Sequence, residues 1–300
     1  MDVLVSGASG LIGTALRPAL VAAGHRPVAL VRRPVRGADE ITWDPASGRL
    51  DRAAIEGMGA AIHLAGVSIA DKRWTDEQRR VLRDSRVQST GLLARAIAEL
   101  REPPPVLVSA SAIGWYGDRG DEILTEKSAP GEGFLADLCK TWEAATAPAE
   151  QVGTRVAHIR TGIVLTPDGG ALAKQLPLFR LGLGGRFGSG RQWQSWIAQE
   201  DEVAAILHQL TTNVSGPVNL TAPNPVRNGE LGKTLGRVLH RPAVLPVPKL
   251  GPSLLLGAEL TESLLYFSQR VLPAKLQDSG FSFAHPSLEG ALRSMLVSRD

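Results

Sequence analysis

Val3-Leu4-Val5-Ser6-Gly7-Ala8-Ser9-Gly10-Leu11-Ile12-Gly13 is the stretch that decides the fold. An apolar run enters a glycine-rich turn and continues into a helix-like segment that should stop near Gly24. Each glycine has a separate job in such a turn. Gly7 takes the tight bend, Gly10 lets backbone approach a pyrophosphate, and Gly13 lets the helix pack on the strand, while Ser9, Leu11 and Ile12 complete a cradle of amide N–H groups whose helix dipole favours negative charge. The reading is a dinucleotide site. Pro18 falls inside the expected helix and removes one of its hydrogen bonds, so a kink or a late helix start is expected there.

A second strand follows as Pro27-Val28-Ala29-Leu30-Val31 and ends in Arg32-Arg33. Sites that prefer NAD place an acid at this point for the ribose 2′-hydroxyl, whereas a cation suits a 2′-phosphate. NADP is therefore expected over NAD. The competing reading of the two arginines is a solvated strand end.

Further along, Ile41-Thr42-Trp43 reads as a short strand, and Ala60-Ala61-Ile62-His63-Leu64-Ala65-Gly66 as a buried one that brings Leu64, Ala65 and Gly66 to the carboxyl edge where open α/β sheets bind ligands. His63 sits in an apolar run and reads as a buried structural histidine rather than a base. Thr75 to Leu100 is strongly helical with a capped start, and Val106-Leu107-Val108 leads into Ser109-Ala110-Ser111. Residues 118–133 read as a polar loop, Phe134 to Ala147 as a helix, and Arg155 to Arg160 as a strand entering Thr161-Gly162. Strands alternating with helices imply a doubly wound parallel α/β sheet of Rossmann type. The expected division is a cofactor domain over 1–165, completed by a later strand near 217–221, and a smaller, mostly helical substrate lobe over 166–300.

Composition narrows the function classes. The 33 basic and 30 acidic side chains leave a net charge of +3 with no basic stripe, which argues against a nucleic-acid surface. Cys139 is the one cysteine, so neither an intrachain disulfide nor a cysteine-cluster metal site can form, and no metal is expected. No apolar run reaches the length that spans a bilayer, and the start lacks a secretory signal pattern, so a cytoplasmic protein without membrane or nucleic-acid partners is expected. Oligomeric state has no sequence signature here.

With those residues quoted, the chain resembles the extended short-chain dehydrogenase/reductase superfamily. More narrowly it resembles an epimerase-like family of NADP-dependent oxidoreductases that carries its own C-terminal domain. The carrying segments are the glycine turn, Leu64-Ala65-Gly66, Ser109-Ala110-Ser111 before Tyr116-Gly117, Gly188-Ser189-Gly190-Arg191-Gln192-Trp193, and Gln269-Arg270-Val271-Leu272-Pro273. The resemblance implies oxidoreductase or epimerase chemistry on a small carbonyl or alcohol. It also implies a serine near the fifth strand and a Tyr-x-x-x-Lys pair on the next helix. Ser111 matches the serine. No register gives the pair: aligning on Glu143 puts Leu135 and Cys139 at the tyrosine and lysine positions.

Tyr116 is then the nearest phenol, with Lys140 as a nearby charge, and the candidate catalytic set is Ser111, Tyr116 and Lys140. The competing reading has Tyr116 packing its loop, Ser111 capping a turn and Lys140 on the surface. Arg86 stands where many relatives in the superfamily carry asparagine, and joins Ser109, Thr161 and Gly162 among the expected cofactor contacts. The segment from Arg180 to Trp196 suggests a pocket for an anionic, partly planar small molecule, or simple lobe packing. The alternative to an enzyme is a cofactor-binding regulatory or scaffold protein that has lost the proton relay.

Overall fold

In the computed structural model, which describes residues 1–297, the glycine turn is set between the first strand and the first helix. In chain order the elements are β1 Asp2–Ser6, α1 Leu11–Ala22, β2 Arg26–Val31, β3 Glu40–Asp44, β4 Arg49–Leu50, β5 Ala60–His63, α2 Asp76–Ala98, β6 Val106–Ala112, β7 Ile123–Leu124, α3 Phe134–Ala144, α4 Ala147–Gln151 and β8 Arg155–Thr161. They continue as β9 Ile163–Leu165, α5 Gly170–Arg180, β10 Trp193–Gln194, β11 Trp196–Ala198, α6 Gln199–Thr211, β12 Gly216–Leu220, β13 Val226–Arg227, α7 Asn228–Val238, α8 Leu250–Leu256, α9 Ala258–Thr261, β14 Arg270–Val271, α10 Ala274–Asp278 and α11 Leu288–Leu296.

Eight strands form one sheet in the order β12-β8-β6-β5-β1-β2-β3-β4, parallel throughout except for the β3–β4 hairpin at one edge. Strand order reverses between β1 and β5. That switch point opens a crevice at the carboxyl ends of the strands, where Gly7 and Leu64 to Gly66 meet.

Both faces of the sheet are buried, which is why its strands read as nearly continuous apolar runs. Val3, Val5, Ile62, Val108 and Ile159 point to one face, against Leu16 and Leu20 of α1 and Val203 and Ile206 of α6. Leu4, Ala61, Leu107 and Val156 point to the other, against Leu93 and Ile97 of α2 and Ala149 of α4. The period of two along each strand sorts these side chains.

Local chemistry sets several boundaries. Thr75 caps α2, its hydroxyl accepting from the Gln78 amide at 3.1 Å. α1 starts at Leu11 with Pro18 inside it, so of the kink or late start expected from the sequence the late start does not occur. Pro18 lies on the exposed side of the helix, where water can take the carbonyl it leaves without a donor. The helix expected from Phe134 to Ala147 is divided, α3 ending at Ala144 and α4 beginning at Ala147.

The polar stretch 118–133, expected as loop, holds β7, which pairs in parallel with β14 from the tail. That tail is fastened to the carboxyl edge of the sheet. Gln269 donates from Nε2 to the carbonyls of Ile113 at 2.9 Å and Gly117 at 3.0 Å, and Ser195 Oγ accepts from the Val271 amide at 2.8 Å.

Beyond the sheet, α5, α7 and α11 pack around Trp196, Leu176, Leu235 and Leu292 in a separate apolar cluster. β12 joins the sheet beside β8, and α6 packs on the same core. No helix among the described residues is long and apolar enough to cross a membrane.

Candidate functional site

The cradle is built by close approach. A Cβ on Gly13 would stand 2.2 Å from the Gly7 carbonyl oxygen, and one on Gly7, whose φ is +70°, 2.7 Å from the Leu64 carbonyl. These two positions admit only hydrogen. Gly10 donates its amide to the Gly7 carbonyl at 2.9 Å and starts α1 without a side-chain cap. The α1 first turn has no acidic residue, and the amides of Leu11, Ile12 and Gly13 have no acceptor among the described residues. Ser9 is exposed at the rim of the turn. Three free donors at the positive end of a helix fit a dinucleotide's pyrophosphate.

The two arginines after β2 separate in role. Arg33 holds Glu40 through both oxygens, at 2.5 and 2.8 Å, and the Glu40 carboxyl is lowered to about 2 by those bonds and by the Arg36 amide. Arg32 is exposed and has no partner among the described residues. The free cation beside the cradle is therefore Arg32.

On the other side of the switch point lie Leu64, Ala65 and the exposed Gly66, with Arg86 of α2 beneath. Ser109 lies deeper than the crevice, wholly buried, and its hydroxyl lacks a partner. Thr161 donates its hydroxyl to Oε1 of Glu202 at 2.8 Å. Gly162 is required by the Ser195 carbonyl, 2.6 Å from where its Cβ would be. His63 is wholly buried between Ser6 Oγ, 2.6 Å from Nδ1, and Ser89 Oγ, 3.3 Å from Nε2. Burial lowers its ring to about 4, so it is neutral at physiological pH, as its apolar setting in the sequence suggested.

Ser111 and Tyr116 enter one buried network centred on a residue that sequence reasoning missed. Arg160 of β8 donates to Glu143 through Nε at 2.8 Å and Nη2 at 2.9 Å, stacks 3.8 Å from the Trp115 ring, and donates through Nη1 to the Tyr116 hydroxyl at 3.2 Å. Ser111 donates to the same Glu143 at 2.6 Å. Tyr116 is fully buried and donates to Asn219 Oδ1 at 2.7 Å, with burial pushing its phenol above the ordinary value. A charged residue inside an apolar strand was the available signal for Arg160, since such a residue must find a carboxylate partner. Lys140 stands apart, half-exposed, paired with Asp137 at 2.7 Å. The structure brings Ser111 and Tyr116 together and leaves Lys140 on the surface of α3.

Leu135 and Cys139 face Gly114, where an added Cβ would lie 3.2 Å from Leu135 Cβ and 3.7 Å from the Cys139 sulfur. Burial, chiefly, pushes the Cys139 thiol up to about 12. Next to Leu135 a cavity of about 380 Å³ opens between the start of α3 and the C-terminal lobe, lined by Gly133, Phe134, Lys249, Glu259, Glu262 and Phe267 among others. Of the two tryptophans expected at a pocket, Trp196 is wholly buried in the lobe core, and Trp193 is stacked between Arg227 at 4.4 Å and Arg270 at 4.5 Å. Among the described residues no group of three or more His, Cys, Asp or Glu side chains could hold a metal ion.

A doubly wound sheet with a glycine cradle at its switch point defines the dinucleotide-binding Rossmann class. The chain belongs to the NAD-dependent epimerase/dehydratase family, whose model matches residues 3–221, within the extended short-chain dehydrogenase/reductase superfamily. Residues 247–295 match a domain of unknown function, DUF1731. The chain is 44% identical over 291 residues to the epimerase family protein Mb2239 of Mycobacterium bovis, covering 97% of this chain and 96% of that protein. It is similar to the crystal structure of human epimerase family protein SDR39U1 with NADPH, at 34% identity and a TM-score of 0.89, covering 98% of this chain and 99% of that one. MoeE5 in complex with UDP-glucuronic acid and NAD shares the fold, at 21% identity and a TM-score of 0.76, over 99% of this chain and 98% of that one.

Proposed function

We propose that this protein binds NADP in preference to NAD and acts as an epimerase-like oxidoreductase on a small carbonyl or alcohol substrate. The observation that carries the reading is the pairing of three unpartnered α1 amides with a free Arg32 at the end of β2. The relative SDR39U1 with NADPH supports the same choice. Residues 1–165 with α6 and β12 form the cofactor lobe. The remainder of 166–300 forms the substrate lobe, and the cavity beside Leu135 lies between them.

Gly7, Gly10 and Gly13 shape the cradle, and Ser9, Leu11 and Ile12 hold the pyrophosphate. Leu64, Ala65 and Gly66 support the far half of the cofactor together with Arg86, with Ser109, Thr161 and Gly162 behind them. Bound nicotinamide supplies hydride exchange with the substrate. The chain's own residues orient that exchange. Ser111, whose proton goes to Glu143 at the crevice end of β6, turns that proton to the substrate oxygen when substrate binds. Tyr116 fastens the C-terminal lobe through Asn219, and Lys140 steadies the surface of α3.

A second reading is favoured by one observation: the Tyr116 proton is committed to Asn219 in a fully buried place. A protein that binds the cofactor without turnover would show this. Calorimetric titration with NADPH and NADH, followed by oxidation of bound NADPH against a panel of carbonyl compounds, separates the two readings. NADPH binding with turnover supports the enzyme, and binding without turnover on the whole panel supports the regulatory or scaffold protein. Failure to bind either nucleotide overturns both.

A further inference from the structure

Arg86 is a buried cation with no carboxylate partner among the described residues. Its side chain is nine-tenths buried in the middle of α2. Its partners among the described residues are the Leu82 carbonyl, to which Nη1 donates at 3.2 Å, and the face of Trp142, 5.1 Å from Cζ. No carboxylate pairs with it. Among the described residues the other arginine buried to this extent, Arg160, is held by both oxygens of Glu143. Burying a guanidinium without a carboxylate is costly, so an unpaired one this deep points to an oxygen-rich group supplied from outside.

The geometry says where that group lies. Gly66 is exposed in the crevice, and a Cβ on it would come 3.2 Å from Cζ and 3.4 Å from Nη2 of Arg86. The guanidinium therefore lies directly under a residue that has no side chain to cover it. The segment holding Gly66 also abuts the cradle, since a Cβ on Gly7 would meet Leu64 and Ala65 within 2.9 Å. Arg32 lies past β2 and Arg86 past β5, and these strands flank β1 on opposite sides. A dinucleotide with its pyrophosphate at α1 and its adenosine half toward β2 must send its other half across β5, over Gly66.

We propose that Arg86 is the cationic contact for the mononucleotide half of the cofactor that carries nicotinamide, donating from Nε and Nη2 to its ribose and phosphate oxygens. The inference rests on the cofactor reading above. It makes Arg86 a binding and positioning residue, with Trp142 as the platform that keeps the guanidinium plane fixed. Trp142 is itself anchored, its Nε1 donating to Thr90 Oγ1 at 2.9 Å. Cys139 lies close enough to feel the Arg86 charge, so the cation also borders the position where relatives in the superfamily carry lysine.

The experiment compares NADPH with adenosine 2′,5′-bisphosphate, which has the adenosine half and lacks the nicotinamide mononucleotide. Binding is measured by calorimetry, and melting of the free protein is followed in parallel. Arg86→Met is expected to weaken NADPH about tenfold or more, the worth of a charge-assisted hydrogen bond, and to leave the bisphosphate within about twofold. Free Arg86→Met should melt at or above the wild-type temperature, because an unpaired buried charge has gone. Arg86→Gln, which keeps a donor without the charge, should show the same selective loss and covers the case in which Arg86→Met does not fold. Equal losses for both ligands would overturn the proposal. So would unchanged NADPH affinity at any melting temperature, a lower one marking a purely structural arginine. Wild-type protein that bound neither ligand would overturn the cofactor reading and this inference with it.

Discussion

The hydroxyl of Tyr116 donates to Oδ1 of Asn219 at 2.7 Å, joining the turn after β6 to the edge strand β12 across 103 residues of sequence. Asn219 in turn donates from Nδ2 to the Leu272 carbonyl at 2.9 Å, so one side chain links the sheet to the tail strand. Tyr116→Phe leaves Asn219 Oδ1 and Arg160 Nη1 each one partner short in a buried site. The expected cost is about 1–3 kcal/mol, read as a lower urea midpoint. NADPH affinity should stay within about twofold. A variant of wild-type stability that had lost turnover would instead assign the phenol to chemistry.

Glu202 is expected to weaken the fold as pH rises. It is wholly buried in the first turn of α6, Oε2 has no partner among the described residues, and burial raises its carboxyl to about 8 from an ordinary 4.5. The folded state therefore keeps a proton that the unfolded chain releases. The stability this carboxyl contributes is full below pH 4.5 and is lost as pH rises from there to about 8. His63 works in the opposite sense: held at about 4 against 6.5 unfolded, it costs stability as pH falls through that window. Glu202→Gln cannot ionise. Its unfolding free energy in urea relative to wild type should climb steadily between pH 5 and 8, by an amount on the order of a few kcal/mol at most. A difference independent of pH would show that Glu202 is ionised in the fold.

Gly10 and Gly13 should fail in different ways. A Cβ at Gly13 collides with backbone, 2.2 Å from the Gly7 oxygen and 2.7 Å from Ala8 Cα, so Gly13→Ala must separate α1 from β1 and lose stability and cofactor together. Overpacking of this kind costs about 1–3 kcal/mol or more. Gly10 has φ −80° and ψ 177°, open to any residue, and a Cβ there would meet the Gly7 oxygen at 3.3 Å. Gly10→Ala should melt near wild type and bind NADPH at least about tenfold more weakly, because a methyl now stands where phosphate approaches. Equal melting losses in the two variants would mean that Gly10 serves packing alone.

How far the sequence spoke depended on how local the physics was. The cradle was legible because Gly7, Gly10 and Gly13 act within one turn, and the start of α2 because Thr75 caps a residue three positions on. The apolar strands were legible through burial on both faces. The Arg160–Glu143 pair was not, because a helix residue and a strand residue become neighbours only when α3 packs on β6, the neighbour of β8. The pairing of β7 with β14 joins segments nearly 150 residues apart, and two-residue strands leave almost no period to read. Trp196 and Trp193 looked alike in sequence. One fills a core and the other is stacked between two guanidiniums, a distinction that only the position of Arg227 and Arg270 makes.

Arg32 and Arg33 are adjacent in sequence and unequal in the structure, and this yields the sharpest test of cofactor choice. Arg33 is engaged by Glu40 through both oxygens, whereas Arg32 is exposed and unpartnered among the described residues. Arg32→Ala should weaken NADPH about tenfold and leave NADH within about twofold, since only NADPH has the 2′-phosphate. Arg33→Ala strips Glu40 of its counter-ion. That leaves a bare carboxylate near the phosphate position, so this variant should also lose NADPH selectively, by repulsion rather than by a missing contact. Arg33→Ala combined with Glu40→Gln removes the repulsion and should recover most of the loss, while Glu40→Gln alone frees a second guanidinium and should raise the preference for NADPH. Titration of the four variants with both nucleotides at two salt concentrations checks the set, because a surface phosphate contact weakens with salt. Equal losses of NADPH and NADH in Arg32→Ala would remove the 2′-phosphate from the end of β2.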